Sequence, residues 1–302
     1  MNHPTPAALL IDLARGRLSR NDGFDEFKHR FKFAFRSLLT LPATLRWLAV
    51  LSGNDALFAF LRANPRIACK LHRPYLQQRL STTGKLAMLT AHYALETERF
   101  APRVLADLLT QPELVLAELT GKDERTYRVT LTHQHTFDKE GELSLQLGDP
   151  NGVPLTLVTF TLAPDDTLII GGLQGPRKQH GPECIKDATK ACHGLFPKRV
   201  AMEAVTQLAA SLGIKRIRAV SKDMHIYNSW RYRKDFEADY DSFWETLDGK
   251  RDADGFYTLP PAIPRKAMED IASKKRSEYQ RRYMLMDELG RQLAATLGRA
   301  GT

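Results

Sequence analysis

Two stretches carry residue types that can hold an anion. Thr167–Gly175 (TLIIGGLQG) runs the apolar Leu168, Ile169 and Ile170 into a Gly-Gly pair, then into Gln174 and Gly175. His193–Lys198 (HGLFPK) leads into a helical run, Arg199–Leu212. Glycines let a backbone come close to a ligand. A helix beginning near Pro197 offers unpaired N–H groups and a partial positive charge, and Lys198 adds a full one. The chemistry expected is therefore capture of a phosphate or other anion near Gly175, His193 and Lys198. The alternative is structural: the glycines permit tight packing, and His193 caps the connector.

The elements that must position these residues are legible around them. An apolar run without alternation, such as Leu168–Ile170, suits a strand buried on both faces. Pro197 suits a helix entry and Gly213 a helix stop. Ile214–Ser221 (IKRIRAVS) alternates as a short strand. Strand, glycine-rich bend, helix and strand make a crossover unit, whose first strand end and helix start are where such units bind ligands.

Upstream, from Arg125, the pattern changes to period two. Tyr127–His133, Glu142–Leu147 and Val153–Leu162 read as strands, separated by turns at Lys139-Glu140-Gly141 and Asp149–Gly152. With Leu168–Ile170 they form an antiparallel meander. Residues 1–118 read as a helical segment, including a Leu-rich helix from Leu105 to Leu119 that Gln111-Pro112 cuts. Residues 119–250 form the mixed-sheet core. Residues 251–302 form a basic helical tail with a long helix in Arg265–Leu297, and the three pieces make one integrated unit. The fold class is α+β, with a mostly antiparallel mixed sheet.

Composition sets outer bounds. The chain has 302 residues, and Lys+Arg 44 against Asp+Glu 35 gives a net charge of +9. That excess favours anionic partners. Cys69, Cys184 and Cys192 lack CxxC spacing, which points to a reducing compartment rather than disulfides or zinc. The N-terminus has too short an apolar run for a secretory signal, and no stretch reaches the ~18 apolar residues of a membrane span. A cytoplasmic location is expected, peripheral to a membrane. Phe27, Phe31 and Phe35 recur at helical spacing among Lys28, Arg30, Lys32 and Arg36. They either pack on the core, as in most amphipathic helices, or lie on an anionic membrane surface.

There is no GxSxG, Walker loop, HExxH or paired-cysteine motif. His133 and His135 share a strand face but lack a third ligand, so no metal is expected. His92 reads as a half-buried core histidine. Lys274-Lys275-Arg276, Arg281 and Arg282 can grip phosphates, but no nucleic-acid fold accompanies them, so nucleic acid is not expected.

Four antiparallel strands, a bend, a helix and a fifth strand resemble the core of GNAT-type N-acyltransferases. In that fold the bend donates N–H groups to the pyrophosphate of coenzyme A. The family's Arg/Gln-x-x-Gly-x-Gly/Ala spacing is absent here. More closely, the chain resembles the VirK/YbjX family through HRPYL (His72–Leu76), GELSLQL (Gly141–Leu147), IGGLQG (Ile170–Gly175), HGLFPK, DYDSFW (Asp239–Trp244) and KKRSEYQRRY (Lys274–Tyr283). That resemblance implies a role at the envelope of Gram-negative bacteria, in virulence and in resistance to cationic peptides. The GNAT resemblance implies acyl transfer from acyl-CoA or acyl carrier protein to an amine or hydroxyl of a small molecule or peptide. Such a reaction needs a base for the nucleophile and N–H donors for the thioester oxygen. His225, Glu142 and Tyr227 are the acid/base candidates. Gly172, Gln174, Gly175, His193 and Lys198 are the donor-site candidates. An enzyme of this kind is expected to have a deep cleft lined by His225 or Glu142. A cleft filled by Trp230, Phe243 or Trp244 would favour a non-catalytic protein that binds anionic lipid or a protein partner.

Overall fold

The computed structural model describes residues 3–18, 24, 26–133, 136–177, 181–228 and 240–298. Helices α1 (Pro6–Arg15), α2 (Phe27–Leu39), α3 (Leu41–Leu51) and α4 (Asp55–Ala63) come first. A 3-10 helix (Pro65–His72), α5 (Thr82–Arg99) and α6 (Pro102–Thr110) follow. Local chemistry starts several of them. Thr5, Asn54 and Ser81 accept N–H groups from the first turns of α1, α4 and α5, and proline opens α6.

Strands β1 (Leu114–Thr120), β2 (Thr126–Thr132), β3 (Leu143–Gly148), β4 (Pro154–Ala163) and β5 (Thr167–Gln174) form an antiparallel meander. Helices α7 (Glu183–Ala191) and α8 (Pro197–Ser211) cross over to β6 (Arg216–Val220), which pairs parallel to β5. Then come α9 (Tyr240–Glu245), β7 (Lys250–Arg251), β8 (Phe256–Leu259) and α10 (Ser273–Thr296). The sheet order is β1-β2-β3-β4-β5-β6-β8-β7. The fold is α+β with a mixed sheet, a helical N-terminal segment and a C-terminal helix, as the sequence pattern led us to expect. Val153–Leu162 is strand, and the segment after Gly213 joins the same sheet.

Three readings need correction. Leu114–Thr120 is a strand, not the end of a Leu-rich helix. Gln111-Pro112 stops α6, and the next residues pair with β2. The segment after α9 adds β7 and β8 at the start of what was read, from residue 251, as a basic helical tail. Phe27, Phe31 and Phe35 do not pack on the core. Phe33 and Ser37 take the inward positions of α2, with Phe24 edge-on to Phe33 at 5.5 Å. Trp230, Tyr232, Phe236 and His135 lie outside the described residues.

Both faces of β3 and β4 are covered. Ser144 and Thr159 bond to each other across the pair at 2.8 Å, on the face that also carries Glu142 and Thr161. Tyr93 of α5 and Tyr75 reach Glu142 and Thr161 from that side. Leu143, Leu145 and Leu147 point to the opposite face, where α8 packs and α10 packs on α8. No helix among the described residues is long and apolar enough to cross a membrane. Cys69, Cys184 and Cys192 are free thiols.

The Gly171-Gly172 pair is where this packing is tightest. A Cβ on Gly171 would stand 1.9 Å from the carbonyl oxygen of Glu140, and one on Gly172 would stand 1.7 Å from its carboxylate. At Gly175 nothing lies within 4 Å. Gly171→Ala should therefore lower stability by about 3 kcal/mol, because backbone must shift. Gly175→Ala should stay within about 0.5 kcal/mol of wild type. Urea unfolding of both variants checks this, and equal losses would refute the account.

Candidate active site

Beyond Ile170, β5 continues to Gln174 after its pairing with β6 has ended. Two features occupy the region where the strands part. One is a buried polar group centred on Glu140 and His225. The other is a cavity in front of α8.

The carboxylate of Glu140 lies over Gly172 and its backbone carbonyl over Gly171, in space no other residue type would leave. His225 Nε2 is 3.5 Å from Glu140 Oε1, and both side chains are fully buried. The Tyr227 N–H donates to His225 Nδ1 at 3.2 Å, so a neutral ring carries its proton on Nε2, facing the carboxylate. Gln174 Nε2 donates to Glu140 Oε1 at 3.1 Å and stands 3.2 Å from the Tyr240 hydroxyl. Burial pushes the Glu140 carboxyl above its ordinary value, while His225 and Gln174 pull it down. The segment from Tyr75 to Gln77 roofs the group. Gln77 bridges to His225, and the Leu76 N–H donates to the Lys139 carbonyl at 2.7 Å.

The cavity is larger, about 980 Å³, and lies between Gly175-Pro176, the start of α8, α9 and α10. Phe196, Phe243, Tyr279 and Tyr283 give it apolar walls, and Lys198, Arg199, Arg265, Lys266 and Arg282 give it positive charge. Most of these cations are spoken for. Arg265 meets Asp287 at 2.7 Å, Arg282 meets Glu278 and the His193 carbonyl, and Arg199 donates to the carbonyls of Thr246 and Pro264. Lys198 differs. Among the described residues it has no carboxylate partner, its ammonium stands 5.7 Å over the Phe243 ring, and burial lowers its pKa. No side chain caps α8. The N–H groups of Arg199 and Val200 turn back to the Phe196 carbonyl, and among the described residues that of Lys198 has no partner.

A second polar group lies on the α5 face. Lys70 Nζ meets Glu142 Oε1 at 2.7 Å, and the Tyr93 hydroxyl donates to Glu142 Oε2 at 2.6 Å. Burial alone would raise the Glu142 carboxyl, but the Lys70 charge and these bonds hold it low. His133 Nε2 is 2.7 Å from Glu96 Oε1, and His133 Nδ1 is 3.1 Å from the Glu142 carbonyl. Both ring nitrogens of His133 thus face oxygen atoms. His92, Glu96 and His133 bring their ligand atoms within 4.8 Å of one another, the spacing of a metal cluster. The donor chemistry disagrees. His92 Nδ1 accepts the Leu162 N–H at 3.1 Å, which puts the ring proton on Nε2, the nitrogen a metal would need. Lys70, Tyr93, His133 and Glu142 line a pocket of about 600 Å³.

The candidates from sequence thus fall into separate places. His225, Tyr227, Gly172 and Gln174 gather around Glu140. Gly175 and Lys198 line the cavity. His193, at φ 53° after α7, lines a neighbouring basic pocket with Lys122, Lys190, Lys274 and Arg281. Glu142 stands in the second polar group, apart from His225. The residue that sequence reasoning missed is Glu140, read there as part of a turn. The Gly-Gly pair that makes room for it was its only signal. The cavity is open. Phe243 forms one wall, and Trp244 is buried, its indole N–H donating to the Val220 carbonyl at 3.0 Å.

His92 gives these buried groups a pH signature. Burial lowers its pKa from 6.5 to about 3. A depressed folded value means that its contribution is full above 6.5 and is lost as pH falls towards the folded value. Between pH 5.5 and 4, wild type should lose about 1.3 kcal/mol per pH unit from this group. His92→Gln should show a slope shallower by that amount in urea unfolding. Parallel slopes would refute it.

Comparison with known proteins agrees with the fold-wide resemblance. A family model described as "Protein of unknown function (DUF535)" matches residues 22–295. The chain is 41% identical to "Uncharacterized protein YbjX" of Escherichia coli (strain K12), over 95% of this chain and 89% of that one. It is 30% identical to an "Uncharacterized protein" of Haemophilus influenzae, over 71% of this chain and 72% of the relative. It is 28% identical to "Membrane protein LapB" of Mannheimia haemolytica, over 62% of this chain and 80% of the relative. The chain belongs to the VirK/YbjX family, whose family model is DUF535.

Proposed function

We propose that the protein is an acyltransferase that moves an acyl group from a thioester donor, acyl-CoA or acyl carrier protein, to an amine or hydroxyl of a small molecule or peptide. One observation carries this reading: the cavity of about 980 Å³ opens at the start of α8, where Lys198 stands without a carboxylate partner among the described residues. A phosphate fits the free N–H and ammonium there, and the aromatic walls suit the acyl and pantetheine parts of a donor. The parallel β5/β6 pair fits the N-acyltransferase resemblance, although five strands and two helices, rather than four strands and one helix, precede β6.

In this reading the acceptor nitrogen or oxygen attacks the thioester carbonyl and the C–S bond breaks. The acceptor's proton is relayed to the Glu140–His225 pair, which does not line the cavity, and the same proton is returned to the leaving thiolate. Glu140, unforeseen from the sequence, replaces Glu142 as the partner of His225. Glu142 is already committed to Lys70 and Tyr93. A cytoplasmic setting goes with a donor of this kind.

The full burial of Glu140 and His225 favours a second reading, in which the cavity binds an anionic ligand without turnover. Calorimetric titration with CoA, and turnover assays with acyl-CoA and acyl carrier protein, separate the two. Lys198→Ala should weaken CoA binding by about 1.5–3 kcal/mol, the value of a charge-assisted hydrogen bond, with folding intact. His225→Gln and Glu140→Gln should abolish turnover and leave CoA binding unchanged. Binding without turnover in wild type leaves only the second reading, and no heat with CoA at millimolar concentration removes the donor site.

A further inference from the structure

Helix α2 has two apolar faces, and the protein covers only one. Phe33 and Ser37 point inwards. Phe27, Phe31, Phe35, Leu38 and Leu39 are between 54% and 74% exposed and form a stripe along the outer side. Phe27 stacks on Phe31, and Phe31 on Phe35, with centroids 6.1 Å and 6.5 Å apart, so the stripe is continuous. Five large apolar side chains held in water on one helix are a docking surface rather than scattered exposure.

The charges say what covers it. From Phe27 to Leu39 there is no acidic residue, while Lys28, Arg30, Lys32 and Arg36 interleave with the stripe. Lys28, Lys32 and Arg36 run along one edge of it, at the boundary between the outer and inner faces. There the helix shares a pocket of about 260 Å³ with the 3-10 helix. His29, Lys32, Arg36, Arg66, His72 and Arg73 line it, with no carboxylate among the described lining residues, although Arg73 is paired with Asp138 and His29 with Glu26 from outside it. His72 is held neutral there. Burial and the neighbouring Arg36 and Lys85 lower its pKa to about 4. An apolar stripe edged by cations, next to a cationic pocket, matches a lipid layer with anionic headgroups at every level: apolar tails, negative surface, phosphate.

We propose that α2 docks the protein on an anionic bilayer, the stripe entering the headgroup–acyl boundary and one headgroup phosphate seating between Lys32, Arg36 and Arg66. None of these residues lines the cavity at α8, so this surface stands or falls separately from the proposed acyl transfer.

Sedimentation of the full chain with vesicles tests it. Wild type should bind phosphatidylglycerol–phosphatidylcholine vesicles about tenfold more tightly than phosphatidylcholine alone, and high salt should erase the difference. Phe31→Asp with Phe35→Asp should lower binding to the anionic vesicles by at least about tenfold. Lys32→Glu with Arg66→Glu should do the same, because it reverses charge at the pocket. The altered side chains sit on the surface or at the pocket rim, so an unchanged melting curve confirms that each variant folds. Equal binding to neutral and anionic vesicles overturns the proposal. So does wild-type binding by the stripe variant. Concentration-dependent dimers that the stripe variant abolishes, without vesicle binding by wild type, assign the face to a second copy of the chain instead. Unchanged binding by the Lys32/Arg66 variant overturns the headgroup seat.

Discussion

Carboxylates that enter a sheet covered on both faces must find their partners inside the protein, and much of this structure is arranged to supply them. An unpaired buried carboxylate would cost several kcal/mol or take up a proton. Glu142 is met by Lys70 from the 3-10 helix and by Tyr93 from α5. Glu96, itself on α5, is met by His133 at the end of β2. Glu140 is met by Gln174 from β5 and by His225 after β6. Each contact joins elements far apart in sequence. The polar groups thereby fix how the N-terminal helices sit on the sheet, which apolar packing alone would leave less specific.

The same arrangement separates two kinds of site. On the α5 face Glu142 is paired with Lys70 and Tyr93, and Glu96 Oε1 with His133, while Glu96 Oε2 and His92 Nε2 have no hydrogen-bond partner among the described residues. At the start of α8 the cavity has apolar walls and a lysine whose charge no described carboxylate answers.

Much of this was legible in the sequence, where local pattern decides structure. Alternation from Tyr127 onwards, the apolar run Leu168–Ile170, Pro197 and Gly213 marked the meander and the crossover, because side-chain period and helix punctuation are local properties. Leu114–Thr120 was not legible as a strand. Its leucines fit helix or strand, and pairing with β2 made the choice. The outward face of α2 was legible only as one of two alternatives, since Phe27, Phe31 and Phe35 suit a core or a membrane surface until the helix is oriented by what Phe33 touches. His225 and Gln174 were found by residue type and position. Their partner was not, because the side chain that meets them comes from the turn before β3.

The interlock of Glu140 with the glycine pair ties three positions into one unit of inheritance. Glu140 supplies, from another part of the chain, the volume that residues 171 and 172 lack. Enlarging Gly172 alone meets the carboxylate, and shrinking Glu140 alone leaves a void beside two glycines. The two lesions are complementary in shape. Their combined cost should be smaller than the sum of the separate ones, the sign of strong epistasis between neighbouring side chains. Drift at either position is thereby held in check by the other, whether or not the carboxylate ever touches a substrate.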